Sequence, residues 1–501
     1  MKAKRNIFLT MLSVSGIVVL AKLLGFIKQM VTANAFGATI QTDLIYISEG
    51  LVGNLDYLLI QTLAIAFIPT YINLKKTDSE KSKLFVSNII KVFLLVTATI
   101  SILVVALSPI IAKVLAPSYS HELSARLAVY VRIFAPVLII LVESAIFNSL
   151  LKANELFIPG ELISVNQSII IILLVFLIGK KIGPDTIAIA FYVYASFNLI
   201  FLMLYSRKYW KVKHGNPFKD DSVYKMLAMM GPLLLGYSVV FLNQQVDKII
   251  VSGLGEGTVT AMSYAAVLSN FVSTFVGSIC GVLFTYITKN IAEKKDKEAA
   301  DLTVTSVLQL ATLLLPVSVI VVMNAPDIVS IVFGRGRFDD VAVRNCSMAL
   351  IGYGYMFVPF VMRELFSRFQ YAYGDSKTPM TNSTVAIVFN IIFSIMLSKY
   401  LGVLGVTLAT SLSVLVCGFL NLISSRRRNC NISFSAYTKF LPRWIIGIVV
   451  CICLSLLGQK LLDDFYPVVR FVFITMLTLL IYGIVIFPII KPFFKKIIRR
   501  G

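Results

Sequence analysis

Stretches of about twenty predominantly apolar residues recur about fourteen times along this chain, more than any water-soluble core could absorb. They centre near residues 17, 58, 100, 138, 170, 195, 240, 272, 312, 357, 390, 412, 448 and 477. Coiled as a helix, a run of that length matches the ~30 Å hydrocarbon layer of a bilayer. Lipid offers the backbone no hydrogen-bond partners, so such segments read as helices, which satisfy their own. Composition agrees, with 58% hydrophobic residues and a mean hydropathy of +0.86. The expected fold is all-α and integral to the membrane, with about fourteen transmembrane helices. The first run, after MKAKR, continues into a long helix with no small-residue cleavage site, which reads as a span rather than a cleaved signal. Six cysteines (Cys280, Cys346, Cys417, Cys430, Cys451, Cys453) follow no metal or disulfide pattern and read as small hydrophobes.

A formal net charge of +21 invites a nucleic-acid partner, but its distribution points to a membrane instead. Basic residues gather at Lys2, Lys4 and Arg5, in the stretches 75–83, 207–219 and 289–297, at Arg426 to Arg428 and in the tail 491–500. Counted across the spans, all of these fall on one side. The other side holds Lys180, Lys181, Arg335, Arg337, Lys399 and Lys460. Lys and Arg concentrate on the cytoplasmic side of spanning proteins, so both termini are expected in the cytoplasm. The basic clusters are expected against anionic membrane lipids, with no nucleic acid involved.

The stretch from Ala21 to Pro69 organises the chain: two apolar helices joined by a turn at Phe36-Gly37-Ala38. A third helix is predicted over about 83–116, ended by Pro117, and a fourth over about 122–151. A fifth and sixth follow, and the basic, Pro-containing stretch 207–222 reads as a cytoplasmic linker. The second half then repeats the first. Phe36-Gly37, Thr42 and Tyr46 return as Leu254-Gly255, Thr260 and Tyr264 at one constant offset. Thr70-Tyr71-Ile72 returns as Thr285-Tyr286-Ile287, Phe134-Ala135-Pro136 as Phe357-Val358-Pro359, and the turn before Pro159 as the turn before Pro379. A six-helix unit repeated after an even number of crossings keeps its orientation, the parallel-repeat design of transporters. The expected organisation is an N-terminal six-helix lobe (1–206), the linker (207–222), a second six-helix lobe (223–425) in parallel pseudo-symmetry, and an extra helix pair with a basic tail (426–501).

Ionisable groups inside the apolar helices are the candidate site, because a charge near the bilayer centre costs at least ~2.5–3.5 kcal/mol and usually faces a polar interior. Lys22 and Lys28 lie on the first helix, Asp43 near the turn, and Glu49 and Asp56 on the second helix, seven apart on one face. Gly53, one turn after Glu49, leaves room there. The lysines suit phosphate binding or snorkelling. The carboxylates suit pairing with those lysines, cation coupling or a structural ion pair. In the seventh helix Asn243, Gln244, Gln245, Asp247 and Lys248 form a polar group, and Arg132 and Glu143 sit in the fourth. Arg363, Glu364 and Arg368 lie in the tenth, with Glu364 and Arg368 at ion-pair spacing; a gate, a headgroup contact and a structural pair are all open there. Pro136, Pro232 and Pro359 are kinks or tolerated breaks.

No catalytic constellation, metal-ligand cluster or nucleotide-binding turn is present, and His121 and His214 fall in predicted loops. The chain therefore reads as a carrier rather than an enzyme, without a cofactor, driven by a coupling ion, the membrane potential or substrate consumption. A drug or cation antiporter is the rival reading, and its site would be acidic and aromatic rather than Lys-bearing.

The residues resemble the MurJ/MviN lipid II flippases, within the superfamily of multidrug, oligosaccharidyl-lipid and polysaccharide exporters. Lys22-Leu23-Leu24-Gly25-Phe26-Ile27-Lys28, Phe36-Gly37 with Thr42-Asp43, and Ala66-Phe67-Ile68-Pro69 carry the likeness, as do the stretches 246–265, 333–339 and 365–379. The resemblance implies a bacterial plasma-membrane flippase. Its substrate would be an undecaprenyl-pyrophosphate-linked saccharide such as a lipid II-like peptidoglycan precursor, moved from the inner to the outer leaflet by alternating access. A capsular, O-antigen or teichoic-type glycan lipid is the alternative. Lys22 and Lys28 occupy positions where the family carries cations, usually Arg. The family's Arg pair in the second helix is replaced by Leu55 and Asp56, and a further Arg by Val267. With fewer cations, Asp56 is expected to pair with a cavity lysine until the anion arrives, and Arg363 or Arg368, a bound metal ion or a lighter headgroup charge to compensate. The orientation is checked by single cysteines at Asp78 and Asp296 in a background lacking the native cysteines. Both should label from the cytoplasmic side, and labelling of either from outside would overturn the topology.

Overall fold

The computed structural model describes residues 2–213, 215–429, 431–433, 435–462 and 465–498. His214 and Cys430 lie outside the described residues, as do the side chains of Lys2, Lys4, Arg5 and the tail 491–500. Among the described residues all long regular structure is helical. The chain divides into two compact units, Met1–Thr260 with Gly336–Phe338, and Ala261–Arg335 with Asp339–Gly501.

The first unit contains α1 (Lys2–Phe36), α2 (Ile40–Thr77), α3 (Ser79–Ala106), α4 (Ser108–Leu115), α5 (His121–Phe134), α6 (Val137–Ala153), α7 (Ile158–Ile182), α8 (Thr186–Ser206) and α9 (Asp221–Ser252). Local chemistry sets the boundaries. Thr39 and Thr42 close a reciprocal capping box at the start of α2, and Asp78 accepts from the backbone of Glu80 and Lys81 to start α3. Gly37 takes φ +67°, and a Cβ there would lie 2.2 Å from the Arg337 carbonyl oxygen, so the α1–α2 turn admits only glycine. The third and fourth predicted helices are each broken. Pro109 sits in the first turn of α4 and Pro136 stands between α5 and α6, and neither supplies the N–H that an unbroken helix needs. His121, predicted in a loop, is instead the first residue of α5, capped by Ser120.

The second unit takes α10 (Thr258–Ala292) from Ala261 onward, then α11 (Asp296–Met323), α12 (Ala325–Phe333), α13 (Asp340–Gly354), α14 (Phe357–Ala372), α15 (Lys377–Leu401), α16 (Val403–Arg428), α17 (Ser435–Leu461) and α18 (Pro467–Ile498). Its helix order echoes the first unit. The short α12 follows α11 as α4 follows α3, and α13 and α14 bend by 43° at the break before Pro359, as α5 breaks at Pro136. Helices α7 and α15 are both 25 residues long and end on a glycine of positive φ, Gly183 (74°) and Gly402 (57°). At 8 and 9 residues, α4 and α12 are too short to span. Counting α5–α6 and α13–α14 as single passes leaves fourteen, in line with the sequence expectation. By length and composition alone, eleven helices qualify as spans, or twelve with the bent pair. Ile158–Ser206, counted there as one, holds both α7 and α8. Cys280, Cys346, Cys417 and Cys451 are buried and unbonded, as small hydrophobes should be, and Cys453 is exposed.

Polar side chains pin the last hairpin to α11 and α12. Arg470 grips Asp327 with two guanidinium nitrogens, and Gln459 donates to the Met323 carbonyl at 2.6 Å. Deeper in, Trp444 donates to the Thr312 hydroxyl at 2.9 Å and Tyr482 to the Thr312 carbonyl at 2.7 Å. Asp327 is only 5% exposed, so deleting Arg470 strands a buried charge. Arg470→Ala should cost roughly 3–5 kcal/mol of thermal stability, and Arg470→Met with Asp327→Leu should recover most of it. Equal melting of Arg470→Ala and wild type would show that the pair is idle.

Candidate functional site

The predicted residues of the first unit lie on α1, α2 and α9, and the geometry gathers some of them and disperses others. The convergence is at Glu49. Its carboxylate acts electrostatically on two lysines, Lys28 of α1 and Lys248 of α9. Both lysines are half-buried, and neither closes a direct ion pair among the described residues.

Lys248 seats in a notch in α2 at Gly50. Its Nζ donates to the Tyr46 carbonyl at 3.1 Å, and Gln245, one turn earlier on α9, donates to the Gly50 carbonyl at 3.3 Å. A carbonyl already bonded within its helix keeps a second lone pair, which these side chains use. A Cβ on Gly50 would stand 1.7 Å from Lys248 Nζ, so the glycine admits the ammonium. The room expected at Gly53 is present, since a Cβ there would meet nothing within 4 Å, but the side chain that enters α2 does so at Gly50. Tyr194 of α8, 5% exposed, lies within electrostatic range of both Glu49 and Asp56 and is bonded to Gln167 of α7. Nothing in the apolar pattern of α8 distinguishes that tyrosine from a core aromatic, so sequence reasoning passed over it.

The other candidates stand apart. Lys22 is exposed and pairs with no carboxylate among the described residues. Asp56 Oδ1 is buried without a hydrogen-bond partner, so the cavity lysine expected beside it is absent. Asp43 is fully buried and accepts from the Thr260 N–H at 2.8 Å and hydroxyl at 2.6 Å, capping the start of α10. Thr260 Oγ1 also lies 3.1 Å from Thr42 Oγ1, so two residues that the repeat makes equivalent touch each other. Asn243 and Asp247 flank Gln245 and Lys248 on α9, and both are engaged. Glu143 is 7% exposed with Oε1 unbonded, and Arg132 bonds Ser108 instead of Glu143.

In the second unit Glu364 bridges Arg363 at 3.0 Å and Arg368 at 3.3 Å, the latter at the predicted spacing. Arg363 also stacks over Phe360 and Arg368 over Phe284. Two guanidinium groups share one carboxylate. Beyond α14, Asp375 accepts from the Thr378 backbone and hydroxyl and pairs with Arg428 at 2.6 Å. The Thr378 backbone bond, then its hydroxyl, hold the Asp375 carboxyl below its ordinary value.

Among the described residues, fourteen helical passes with ionisable side chains of both signs inside apolar helices define a multi-pass membrane protein of the transporter kind. The structure of a protein titled lipid II flippase MurJ, in an inward closed conformation, has the same fold: TM-score 0.80 at 21% identity, over 95% of this chain and 99% of that one. A probable lipid II flippase MurJ of Buchnera aphidicola subsp. Schizaphis graminum is 26% identical, over 83% of this chain and 82% of its own length. One from Rickettsia prowazekii is 22% identical, over 93% and 94%. The family model described as lipid II flippase MurJ matches residues 32–477, and the chain belongs to that family.

The notch makes a test. Gly50→Ala should destabilise the protein by displacing the Lys248 side chain, and the same change beside Lys248→Ala should not. A coupling of about 0.5–3 kcal/mol is expected from thermal unfolding of the four proteins. An equal effect in both backgrounds would show that the glycine serves α2 alone.

Proposed function

We propose that this chain moves lipid II from the inner to the outer leaflet of the bacterial plasma membrane, both termini cytoplasmic, by exposing one site alternately to each side. The observation that carries the reading is two half-buried lysines in apolar helices, Lys28 on α1 and Lys248 on α9, with Lys248 seated on the Tyr46 carbonyl beside Gly50. A diphosphate brings two or more negative charges, and burying them unpaired costs several kcal/mol each. Two ammonium groups on separate helices supply the matching charge, and each binds a phosphate oxygen as a point charge. Glu49 occupies them while the site is empty and yields them to the incoming anion. It thereby fills the role that the sequence suggested for Asp56.

On this reading Lys248 replaces charge that the family carries as arginine where this chain has Leu55, Asp56 and Val267. A cation on α9 contributes from a different helix, so the headgroup is held at a different angle. A carrier for another diphosphate-linked glycan would use the same lysines, and only the accumulating precursor separates the two readings.

In proteoliposomes carrying lipid II, Lys28→Ala and Lys248→Ala should each slow flipping about tenfold or more, the size of a lost charge-assisted contact. Lys-to-Arg variants should keep part of the rate. Glu49→Gln should bind lipid II more tightly yet turn over more slowly, because the empty site no longer resets. Full flipping by Lys248→Ala would remove that residue from the site. Depletion in cells should raise lipid II itself; accumulation of a different lipid-linked glycan at constant lipid II would sink the substrate assignment.

A further inference from the structure

The linker between α8 and α9 is not a slack connection. Its inner side is fastened to α3 by six polar contacts, one of them from Lys91 Nζ to the Gly215 carbonyl at 3.3 Å. Ser87 Oγ both receives the Lys213 N–H and donates to the Lys213 carbonyl, each at 3.1 Å. Lys91 Nζ donates to the same carbonyl at 2.7 Å, Asn88 donates to Asp220 at 2.9 Å, and Lys213 pairs with Glu80. Asp220 in turn caps α9 through the Ser222 N–H at 3.0 Å. Trp210 stacks beside Phe147, and Lys75 sits over the Tyr209 ring. The backbone of the strap is thereby fixed to the unit's interior.

Its outer side has a different character. Val212, Phe218 and Tyr224 are 77%, 77% and 76% exposed, values that water would penalise. Lys208, Lys211, Lys219 and Lys225 alternate with them, all exposed and none paired with a carboxylate among the described residues. Lys213 and Lys91, by contrast, are already committed to Glu80 and to backbone carbonyls. The acids nearby are Asp220, which is engaged in capping, and Asp221, which is exposed.

We propose that the segment 207–225 is an interfacial strap that binds the anionic headgroups of the cytoplasmic leaflet. Val212, Phe218 and Tyr224 would seat at the acyl boundary, with the four free lysines on phosphates. Apolar side chains interleaved with basic ones are what an anionic interface holds, and each lysine near such a surface is attracted to it. Because the strap is tied to α3 and caps α9, the lipid contact fixes the start of α9, the helix that carries Lys248. The proposal rests on the cytoplasmic placement of the linker and not on the identity of the transported lipid.

The test uses the full-length protein with Phe218→Trp in nanodiscs. Brominated phosphatidylglycerol and brominated phosphatidylcholine are compared as quenchers at equal mole fraction, with the parent protein as background. Stronger quenching by the anionic lipid is expected. The preference should be lost at high salt and in the Lys208→Gln, Lys211→Gln, Lys219→Gln, Lys225→Gln variant. Equal quenching by both lipids would overturn the anionic assignment. Absence of quenching by either would place the strap in water or against a protein. A quadruple variant that flips its substrate normally yet loses the preference would still support the lipid site, so failure of the two readings can be told apart.

Discussion

Hydrocarbon supplies neither hydrogen bonds nor counter-charge, and this chain meets that constraint side chain by side chain. Every polar group placed in a spanning helix must find its partner within the protein. Most do. Threonine and serine hydroxyls return to carbonyls of their own helices, as Thr97 does to Phe93 and Thr303 to Ala299. Asn421 donates to Ser367 while Gln370 donates to the Asn421 carbonyl, tying α14 to α16. Asp43 is satisfied by the start of α10 and Asp327 by Arg470. Against that background Lys28 and Lys248 stand out as half-buried cations in spanning helices that close no direct ion pair among the described residues. An incomplete match inside a membrane is costly to keep, which is the physical reason for reading it as a site.

Much of the fold was legible because the bilayer narrows the choices. Length and hydropathy identified the passes, and the repeat was visible in pairs such as Thr42 with Thr260. The breaks were not placed: Pro109 and Pro136 were present to be read, but a proline inside an apolar run signals a kink as readily as an interruption. Half of the site was legible for a related reason. Lys28, Glu49 and Lys248 announce themselves as charges in apolar helices. Their grouping depends on Gly50, whose only property is the absence of a side chain, and a sequence holding 28 glycines gives no way to rank that one above Gly53. Asp56 and Lys22 show the converse. Their spacing suggested partners, but helix rotation and the exposure of α1 direct them elsewhere.

The two units solve related problems with different residues. Each sets cations inside apolar helices, the first as lysines on separate helices and the second as two arginines of α14 about Glu364. Arginine's planar fork can hold Glu364 and stack on an aromatic at once, which favours a fixed arrangement. Lysine's mobile ammonium, lodged on the backbone of α2 by one hydrogen bond, is easier to release. The chemistry of exchange therefore suits the first cluster better than the second.

Helix α9 opens the second repeat in the sequence, yet it packs with the first compact unit. The boundary of the repeat and the boundary of compactness answer different questions, one about ancestry and one about cohesion. A chain severed in the linker would leave the first fragment without the lysine that fills the notch at Gly50. A chain severed after Thr260 would keep it, together with the cap on Asp43. The first repeat can therefore not be recovered whole by cutting in the linker, because the first compact unit finishes its interior with residues that follow the linker.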